Sequence, residues 1–448
     1  MERLWSHGHA AYVVGGSVRD ALLGRPAEDW DLATDARPDR LLAVFPGAVY
    51  ENRFGTVAVR EGGAEHEVTT FRTDHDYADF RRPHRVEFGD DVRLDLARRD
   101  FTVNAIAWGA AAPGDLAGAT TAGWIAPPPT ATIVDPFDGV ADVGARVLRA
   151  VGEPDARFRE DALRMVRAVR LAAVLDFAID PPTLDAIRAN AALAAHVSGE
   201  RVAAELQKLL LAPTPSVGLR LMAETGLLEV VFPELAAQRG VEQNKIPDED
   251  LLDHTLRTVD ATPANRPVVR LAALLHDVGK PSTIDDGPFR GHDAVGAELA
   301  ERLLDRLHLP RSAIERVVHL VRNHMFTYEA GWGDAGVRRF IQRVGADAID
   351  DLFALREADN VGSGVPVDAH SLAELRARVE AELAASVVLD RSRLAVHGDD
   401  LIAELGLPAG PRLGRILDGL LDRVIAEPQL NDRATLLLLA ESMLTEDR

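Results

Sequence analysis

The sequence predicts an α+β protein, with an N-terminal head built on a mixed β-sheet followed by helical bundles. Short β-branched runs punctuated by glycine pairs occur in the head region. From about residue 155 onward, apolar residues recur at helical spacing and strand signals almost vanish. The 448 residues, 47% of them hydrophobic, suffice for several such units. We expect a head over 1–140, a helical neck over 141–240, a further helical domain over 241–365 and a helical tail over 366–448.

Composition excludes several classes of protein. The chain has no cysteine, so disulfides, thiolate metal sites and cysteine nucleophiles are excluded, and any metal must be held by His, Asp or Glu. The net charge of −21 argues against non-specific coating of nucleic acid, whereas residues 141–240 are nearly balanced in charge and could approach RNA. Without a leader-like start or a long apolar run, we expect a cytoplasmic protein with no membrane contact.

The run Val13–Asp20 is typical of a strand that leads through two glycines into the first turn of a helix. Backbone amides after Gly16, the Ser17 hydroxyl and the Arg19 guanidinium would converge there on an anion. Such a loop can hold a triphosphate, although an ordinary turn has the same local sequence.

Asp29 and Asp31 follow this loop, and alternation along a strand would point both carboxylates to one face. Phosphoryl transfer with two Mg²⁺ ions needs such a pair. Either pattern alone is more often a turn or a pair of solvated carboxylates. Together they resemble the signature of the DNA polymerase β nucleotidyltransferase superfamily. A third strand carboxylate sometimes joins the metals there, and Glu67 is either that ligand or an ordinary exposed residue.

The segment Arg98–Ala107 resembles the ribose and phosphate contact motif of class II (bacterial-type) tRNA nucleotidyltransferases and their poly(A) polymerase relatives. Arg99 could clamp a phosphate in bidentate fashion, while Asp100 and Asn104 could meet sugar hydroxyls. A helix cap at Asp100 and a turn at Asn104 would explain the local shape but not the whole string.

The segment Asp74–Pro83 resembles the flexible loop that the same family uses in switching from C to A addition. By its residues alone it is a polar, proline-terminated, solvated loop. We expect poor order over this segment in the absence of ligand.

The segment Glu160–Arg164 predicts the start of an amphipathic helix, in which the i, i+3 spacing places Asp161 and Arg164 on one face. An Asp acceptor beside an Arg donor matches cytosine and adenine, which both show an amino donor beside a ring-nitrogen acceptor. A surface ion pair has the same spacing, but the string resembles the base-recognition motif of the family's neck. Arg167 and Arg170 would then contact the triphosphate or the RNA backbone.

Six His and Asp residues in the helical half resemble, in type and order, the ligand set of HD-domain phosphohydrolases. Two of these residues are adjacent, and adjacent helical residues can share a metal only at a helix end or with the metal between them. Nitrogen and oxygen ligands suit Mn²⁺, Ni²⁺, Mg²⁺ or Fe more than a structural zinc. The six are His254, His276, Asp277, His292, His324 and Asp359.

The resemblance implies template-independent addition of CMP and AMP, from CTP and ATP, to the 3′ end of tRNA. It also implies Mg²⁺ at Asp29 and Asp31 and an HD phosphohydrolase that acts on damaged 3′ ends. Three alternatives stay open: an A-adding enzyme or poly(A) polymerase of the same family, an HD hydrolase with a nucleotide-sensing N-terminal domain, and a non-catalytic tRNA-binding protein.

Overall fold

The structure is a computed structural model that forms two compact units. The first comprises Met1–Ala236 with Arg306–His308, and the second Ala237–Asp305 with Leu309–Arg448. The described residues are 1–27, 29–50, 54–77, 83–111, 131–243, 245–284, 289–329, 331–385 and 388–446. A mixed-sheet head followed by helices confirms the predicted fold class.

A seven-stranded mixed sheet forms the centre of the head, in the order β3-β4-β5-β2-β1-β8-β9. Strands β2 and β5 pair in parallel, and the other neighbours pair antiparallel. The strands of the head are β1 (Ala11–Val14), β2 (Leu32–Thr34), β3 (Val49–Tyr50), β4 (Thr56–Glu61), β5 (Ala64–Thr70), β6 (Arg72–Tyr77), β7 (Pro83–Phe88), β8 (Ala107–Ala110) and β9 (Thr132–Val134).

Both faces of this sheet are packed. Leu4 and Leu41 join Val57 in one buried cluster, whereas Tyr12 and Leu96 belong to another. Alternation along the strands therefore fixes which residues face each core. The helices of the head are α1 (Glu2–Ser6), α2 (Gly16–Leu22), α3 (Pro38–Val44), α4 (Val92–Ala97) and α5 (Gly139–Ala145).

The expectation of a loop over Asp74–Pro83 is wrong at both ends of the segment. Strands β6 and β7 pair antiparallel, with Asp74 opposite Val86 and Tyr77 opposite Pro83. Pro83 begins a strand, where its missing backbone donor is tolerated. Residues 78–82 lie outside the described residues, so the expected poor order of this segment stays a prediction.

The neck is helical except for two-residue strands β10 (Val147–Leu148) and β11 (Ala178–Ile179), which pair in parallel. A side chain at Gly218 would collide with Leu209 and with the Val169 carbonyl, so glycine permits close helix packing here. The neck helices are α6 (Pro154–Glu160), α7 (Leu163–Leu175), α8 (Pro181–Asn190), α9 (Gly199–Leu210), α10 (Pro215–Thr225), α11 (Leu227–Val231) and α12 (Pro233–Ala236).

The regular secondary structure described in the second unit is helical and begins at Leu251. A capping box between Asp250 and Asp253 starts the first helix. A separate apolar cluster that includes Leu420 and Leu436 forms the core of the last three helices. The helices are α13 (Leu251–Ala261), α14 (Pro267–Leu275), α15 (His292–Arg306), α16 (Arg311–Asn323), α17 (Asp334–Val344), α18 (Ile349–Gly362), α19 (Leu372–Ala384), α20 (Gly398–Leu405), α21 (Pro411–Ala426) and α22 (Arg433–Glu446).

None of the helices in the described part of the chain is both long enough and apolar enough to cross a lipid bilayer.

Candidate active sites

The first unit contains an open, polar cavity of about 450 Å³, which we call the arginine-rich cavity. It lies beside the β1–α2 turn, and residues of the neck line part of it. It is lined by the two predicted catalytic carboxylates and by most of the residues predicted to bind nucleotide. They are Gly16, Ser17, Arg19, Asp29, Asp31, Arg99, Asp100, Asn104, Arg167 and Arg170.

The β1–α2 turn has the predicted form, because β1 ends at Val14 and α2 begins at Gly16. Gly15 has φ of 80°, a region that favours glycine. A Cβ at this position would lie 2.8 Å from Nη1 of Arg99, so glycine also makes room for that guanidinium. The turn therefore brings the first amides of α2 and an arginine to the same cavity.

Arg19 is held in place by two partners. Its Nη1 donates to Oδ1 of Asn104 at 2.5 Å, and its Nε and Nη2 donate to Oδ1 of Asp20 at 2.9 and 2.8 Å. Arg19 as a whole is buried, at 8% exposure, yet it lines the cavity. Asp20, which fixes its orientation, was not predicted to be a site residue.

Asp29 and Asp31 precede β2, so their predicted position inside a strand is wrong. Both are nevertheless exposed to the arginine-rich cavity. The Asp31 carbonyl accepts a hydrogen bond from the Val14 amide at 3.0 Å, which anchors the segment to β1. Partial burial raises the pKa of the Asp31 carboxyl; the Arg99 charge opposes this rise and the Asp29 charge adds to it. Two such carboxylates could hold divalent cations.

Glu67 is an exposed residue of β5 and is not among the residues that line the cavity. The next residue, Val68, pairs with Leu32, so Glu67 lies at the same end of the sheet as Asp31. Its role as a third metal ligand stays a prediction.

Asp100 is saturated with hydrogen bonds from protein donors. Its Oδ1 accepts from the Phe101 amide at 2.9 Å and from Asn104 Nδ2 at 3.1 Å. Its Oδ2 accepts from Arg167 Nε at 2.8 Å and lies 2.7 Å from Nη2 of the same guanidinium. Burial alone would raise the pKa of Asp100, but the charges of Arg167 and Arg164 outweigh burial and hold that pKa well below its usual range. Asp100 thus orients Asn104 and Arg167, and it can reach a sugar only by exchanging one of these bonds.

Helix α9 contributes residues that sequence reasoning missed. The buried Glu205 accepts from Arg170 Nε at 2.8 Å and from Arg167 Nη1 at 3.4 Å. Lys208, one turn further along, lines the cavity. The signal was present in the sequence, because Arg201, Glu205 and Lys208 recur at helical spacing and so share one face.

Asp161 and Arg164 do not occupy one helix as predicted, because α6 ends at Glu160 and α7 begins at Leu163. Asp161 has extended backbone angles and takes a bidentate pair from Arg201, at 3.0 and 2.7 Å. Neither Asp161 nor Arg164 is among the residues that line the arginine-rich cavity.

Arg164 is also occupied by protein partners. Its Nη1 donates to Oε2 of Glu160 at 2.7 Å, and its Nη2 donates to the Arg98 carbonyl at 2.9 Å. Base recognition by this pair therefore stays a prediction.

The second unit contains a buried group of imidazoles and carboxylates, which we call the histidine cluster. Its members are contributed by different helices or by the residues that follow them. His276 and Asp277 come directly after the end of α14, the helix-end position at which adjacent residues can share a metal. The six residues of the cluster are His254, His276, Asp277, His292, His324 and Asp359.

The two oxygens of Asp277 divide the cluster into two halves. Oδ2 lies 3.3 Å from Nε2 of His254 and 3.1 Å from Nε2 of His276. Oδ1 lies 3.3 and 3.6 Å from Nε2 of His292 and His324. Asp359 completes the first half, with its Oδ1 3.2 Å from Nε2 of His254. A carboxylate in this position can bridge two metal ions.

Three of the four imidazoles are oriented as metal ligands. The Nδ1 atoms of His276, His292 and His324 lie 2.8, 2.7 and 2.6 Å from backbone carbonyls, which fixes their protons on Nδ1 and leaves Nε2 as a lone pair. Burial lowers the pKa of His276, favouring the neutral imidazole that a metal requires.

Two Nε2···Nε2 separations in the cluster are only 3.1 and 3.3 Å, between His254 and His276 and between His292 and His324. Two imidazole nitrogens at such a distance need a proton or a cation between them. The donor set therefore fits a pair of divalent ions.

A cavity of about 440 Å³ opens onto the histidine cluster, and we call it the histidine cavity. Lys280 lies in it, with Nζ 2.6 Å from Oδ2 of Asp277. Burial alone would raise the pKa of Asp277, but the neighbouring basic groups of His276 and Lys280 outweigh burial and hold that pKa well below its usual range. The carboxylate therefore stays ionised at neutral pH.

Family models match three segments of the chain. Residues 11–149 match the "Poly A polymerase head domain", residues 176–239 match the "Probable RNA and SrmB- binding site of polymerase A", and residues 248–361 match the "HD domain".

Some curated relatives match nearly the whole chain, and others match about half of it. The CCA-adding enzyme of Geobacillus kaustophilus is 36% identical over 442 residues, which are 97% of this chain and 93% of that protein. The CCA-adding enzyme of Geobacillus thermodenitrificans is 49% identical over 237 residues, so this match spans about half of each protein, 53% and 54%.

Solved structures of CCA-adding enzymes share the fold of this chain. The crystal structure of the Bacillus stearothermophilus CCA-adding enzyme in complex with CTP covers 100% of this chain and 96% of its own, with 31% identity and a TM-score of 0.71. A Thermotoga maritima CCA-adding enzyme complexed with tRNA shares the fold at 19% identity and a TM-score of 0.55. With relatives matched along nearly its entire length and a head, an RNA-binding segment and an HD domain in their order, the chain belongs to the class II CCA-adding enzyme family of nucleotidyltransferases.

Proposed function

We propose that this protein adds CMP and AMP, from CTP and ATP, to the 3′ end of tRNA without a nucleic-acid template. The observation that carries this proposal is the arginine-rich cavity, in which a glycine turn, two acidic residues and a group of arginines face one space. Family membership narrows the substrate from nucleotides in general to those of CCA addition. The CTP bound to the 31% identical relative supports the choice of nucleotide.

Residues of the cavity divide the work by their chemistry. Gly16, Ser17 and Arg19 would hold the triphosphate at the start of α2. Asp29 and Asp31 would bind two Mg²⁺ ions, which supply charge neutralisation at the transferred phosphoryl group.

The other polar residues of the cavity would bind and orient the rest of the nucleotide. Arg99, Arg167 and Arg170 offer fork-shaped donors to phosphate oxygens. Asn104 could donate to the sugar, because its amide is already aligned by Asp100 and Arg19.

Base selection would fall to Asp161 and Arg164. In the described part of the chain, Oδ2 of Asp161 accepts one hydrogen bond, from Arg201, and so retains a lone pair for an amino group. Arg164 would exchange its bond to Glu160 or to the Arg98 carbonyl for one to the base. The pair would accept cytosine and adenine and reject uracil and guanine.

Within this scheme each region has a task. The head over 1–140 transfers the nucleotide, the neck over 141–240 selects the base, and the tail over 366–448 binds RNA. The region over 241–365 carries the HD site, which needs a divalent ion such as Mn²⁺, Ni²⁺, Mg²⁺ or Fe.

The test uses three tRNA transcripts that end before CCA, after C and after CC, incubated with Mg²⁺ and with CTP, ATP or both. Products are resolved at single-nucleotide length. Growth of all three to CCA followed by arrest is the expected result. Extension of the CC-ending RNA alone would indicate an A-adding enzyme, and long ATP ladders a poly(A) polymerase. Absence of extension would contradict the proposal.

A second candidate function rests on the histidine cluster. We propose that it is a metal-dependent phosphohydrolase acting on phosphorylated 3′ ends, so that a free hydroxyl becomes available for nucleotide addition. Purified protein with each of the four metals would be given a tRNA that carries a 3′-phosphate or a 2′,3′-cyclic phosphate. Metal-dependent release of the hydroxyl end, lost in His276→Ala and retained in Asp29→Ala/Asp31→Ala, is expected. Hydrolysis of the 3′-phosphate that persists in His276→Ala would contradict this assignment.

A further inference from the structure

We propose that Asp95 is a positioning residue for nucleotide binding. It holds the Arg99 guanidinium at the wall of the arginine-rich cavity and leaves the N–H donors of that group available to a triphosphate. Asp95 is not among the residues that line the cavity, so it acts only through its arginine partners. This inference rests on the proposed nucleotidyltransferase function and adds to it a residue that does not touch the nucleotide.

Asp95 is a carboxylate of α4 with 0% exposure. Its Oδ1 accepts from Nε and Nη2 of Arg98 at 2.9 and 2.8 Å and from the Arg72 amide at 3.4 Å. Its Oδ2 accepts from Arg99 Nη2 at 3.5 Å. Burial alone would raise the pKa of Asp95, but the charges of Arg98 and Arg99 outweigh burial and lower that pKa. The buried carboxylate is therefore ionised at neutral pH.

This carboxylate directs two adjacent arginines to different places. Asp95 precedes Arg98 by three residues and Arg99 by four, the spacings at which side chains meet on a helix. Nη1 of Arg98 lies 3.7 Å from Oδ2 of Asp74, and Arg98 is not among the residues that line the cavity. Arg99 does line it. Asp95 thus holds one arginine outside the cavity and the other at its wall.

The hydrogen bonds of Arg99 are long. Its Nη1 donates to the Asn104 carbonyl at 3.5 Å, the same length as its bond to Asp95, and its Nε has no partner among the described residues. Burial lowers the pKa of Arg99, and the Asp95 charge opposes this most strongly. A guanidinium with a counter-ion but no short hydrogen bond can bind a phosphate without first breaking strong contacts.

The test is a double-variant cycle on CTP binding, measured by calorimetry on the full-length protein with Mg²⁺ and without RNA. Asp95→Asn and Arg99→Gln are each expected to weaken CTP binding about tenfold. Because Asp95 acts through Arg99, the double variant should bind CTP within about twofold of Arg99→Gln alone. A double variant that binds about a hundredfold more weakly than the wild type, the product of two independent losses, would overturn the proposal.

Asp180→Asn is the matched control. Asp180 is also a buried carboxylate that accepts from an arginine, Arg149, and it is not among the residues that line the cavity. This variant should lose stability in urea and bind CTP as the wild type does. If Asp95→Asn does not fold, Asp95→Glu, which displaces the charge by one methylene, enters the same cycle. Its loss should be smaller and again absent once Arg99 is replaced, and a loss that persists there would equally overturn the proposal.

Inorganic tripolyphosphate separates this role from an effect on the base. The Arg98 carbonyl accepts from Nη2 of Arg164, so loss of Asp95 has a second route to the nucleotide, through the predicted base-selecting residue. Tripolyphosphate has no base, and its affinity should fall in Asp95→Asn by the same factor as that of CTP. Weaker CTP binding with unchanged tripolyphosphate affinity would refute the role at Arg99.

Steady-state CCA addition relates the binding result to turnover. In Asp95→Asn the KM for CTP and for ATP should rise about tenfold while kcat changes less than about twofold, the pattern of a lost contact common to ground state and transition state. A lower kcat with unchanged KM would contradict the positioning role. If the wild type binds CTP but adds no nucleotide to tRNA, the proposed nucleotidyltransferase function fails, and the calorimetric cycle alone decides the role of Asp95.

Discussion

The arginine-rich cavity and the histidine cluster differ in which of their ionisable side chains are exposed and which are buried. In the first, Asp29 and Asp31 are exposed, and the buried charges around them are arginines neutralised by carboxylates such as Asp100 and Glu205. In the second, the carboxylate Asp277 is 1% exposed and surrounded by imidazoles. An exposed acidic pair would exchange a metal together with its nucleotide, whereas a buried ligand set would retain a bound metal for longer.

The largest effect is expected for variants that test whether the two sites act independently. Asp29→Ala/Asp31→Ala should lower CCA addition by about 10³-fold or more, because metal stabilisation of the transferring phosphoryl group is worth several kcal/mol. The same variant should retain hydrolysis of a 3′-phosphorylated tRNA, and His276→Ala should show the reverse pattern. Both activities are followed on denaturing gels. Loss of both activities in either variant would contradict the independence of the two sites.

Glu205→Gln tests the buried side of the arginine-rich cavity. Without this carboxylate the buried charges of Arg167 and Arg170 lose an ion-pair partner. We therefore expect the unfolding free energy to fall by about 3 kcal/mol and the KM for CTP to rise. Denaturant unfolding and steady-state kinetics measure the two quantities. Glu224→Gln, an exposed carboxylate of α10, is the matched control and should change neither. A Glu205 variant that behaves like this control would show that the pairs have no positioning role.

Metal binding should stabilise the second unit. At 100 times its dissociation constant, a bound ion adds about 2.7 kcal/mol, which corresponds to a rise in Tm of a few degrees. Differential scanning calorimetry with Mn²⁺ or with a chelator should show this rise in the wild type and little of it in Asp277→Asn. An equal rise in the variant would place the ion elsewhere.

The smallest effect is a pH dependence at Asp100. Because its pKa is depressed in the folded protein, the ionised carboxylate contributes stability above the unfolded-state pKa of about 4, and this contribution is lost as the pH falls toward the folded-state pKa. The difference in unfolding free energy between wild type and Asp100→Asn should stay constant above about pH 5 and shrink below about pH 4. Urea unfolding at pH 7, 5, 4 and 3.5 measures it. A difference that grows on acidification would contradict the Arg167–Asp100 pair.

Sequence reasoning worked best where the chemistry allows few residue types. In a chain without cysteine the metal ligands must be His, Asp or Glu, and the six predicted ligands of the second unit lie together. The β1–α2 turn was predictable for a similar reason, since Gly15 adopts a conformation that other residues rarely accept.

Residues with several available partners were harder to place. Asp161 and Arg164 have the spacing of a helical pair, but the chain is extended at Asp161 and each side chain bonds elsewhere. Glu205 escaped notice because a helical glutamate is usually solvated, and only the fold shows that it is buried between two arginines. Tertiary partners, which a single sequence does not reveal, decided both cases.

The most direct test of the central claim supplies all four nucleoside triphosphates to a tRNA that ends before CCA, with Mg²⁺ and no other nucleic acid, and sequences the products. The account predicts three added nucleotides that read CCA, followed by arrest, in the wild type. Products that contain U or G at these positions, or runs of A without preceding C, would contradict a site that selects bases with protein side chains.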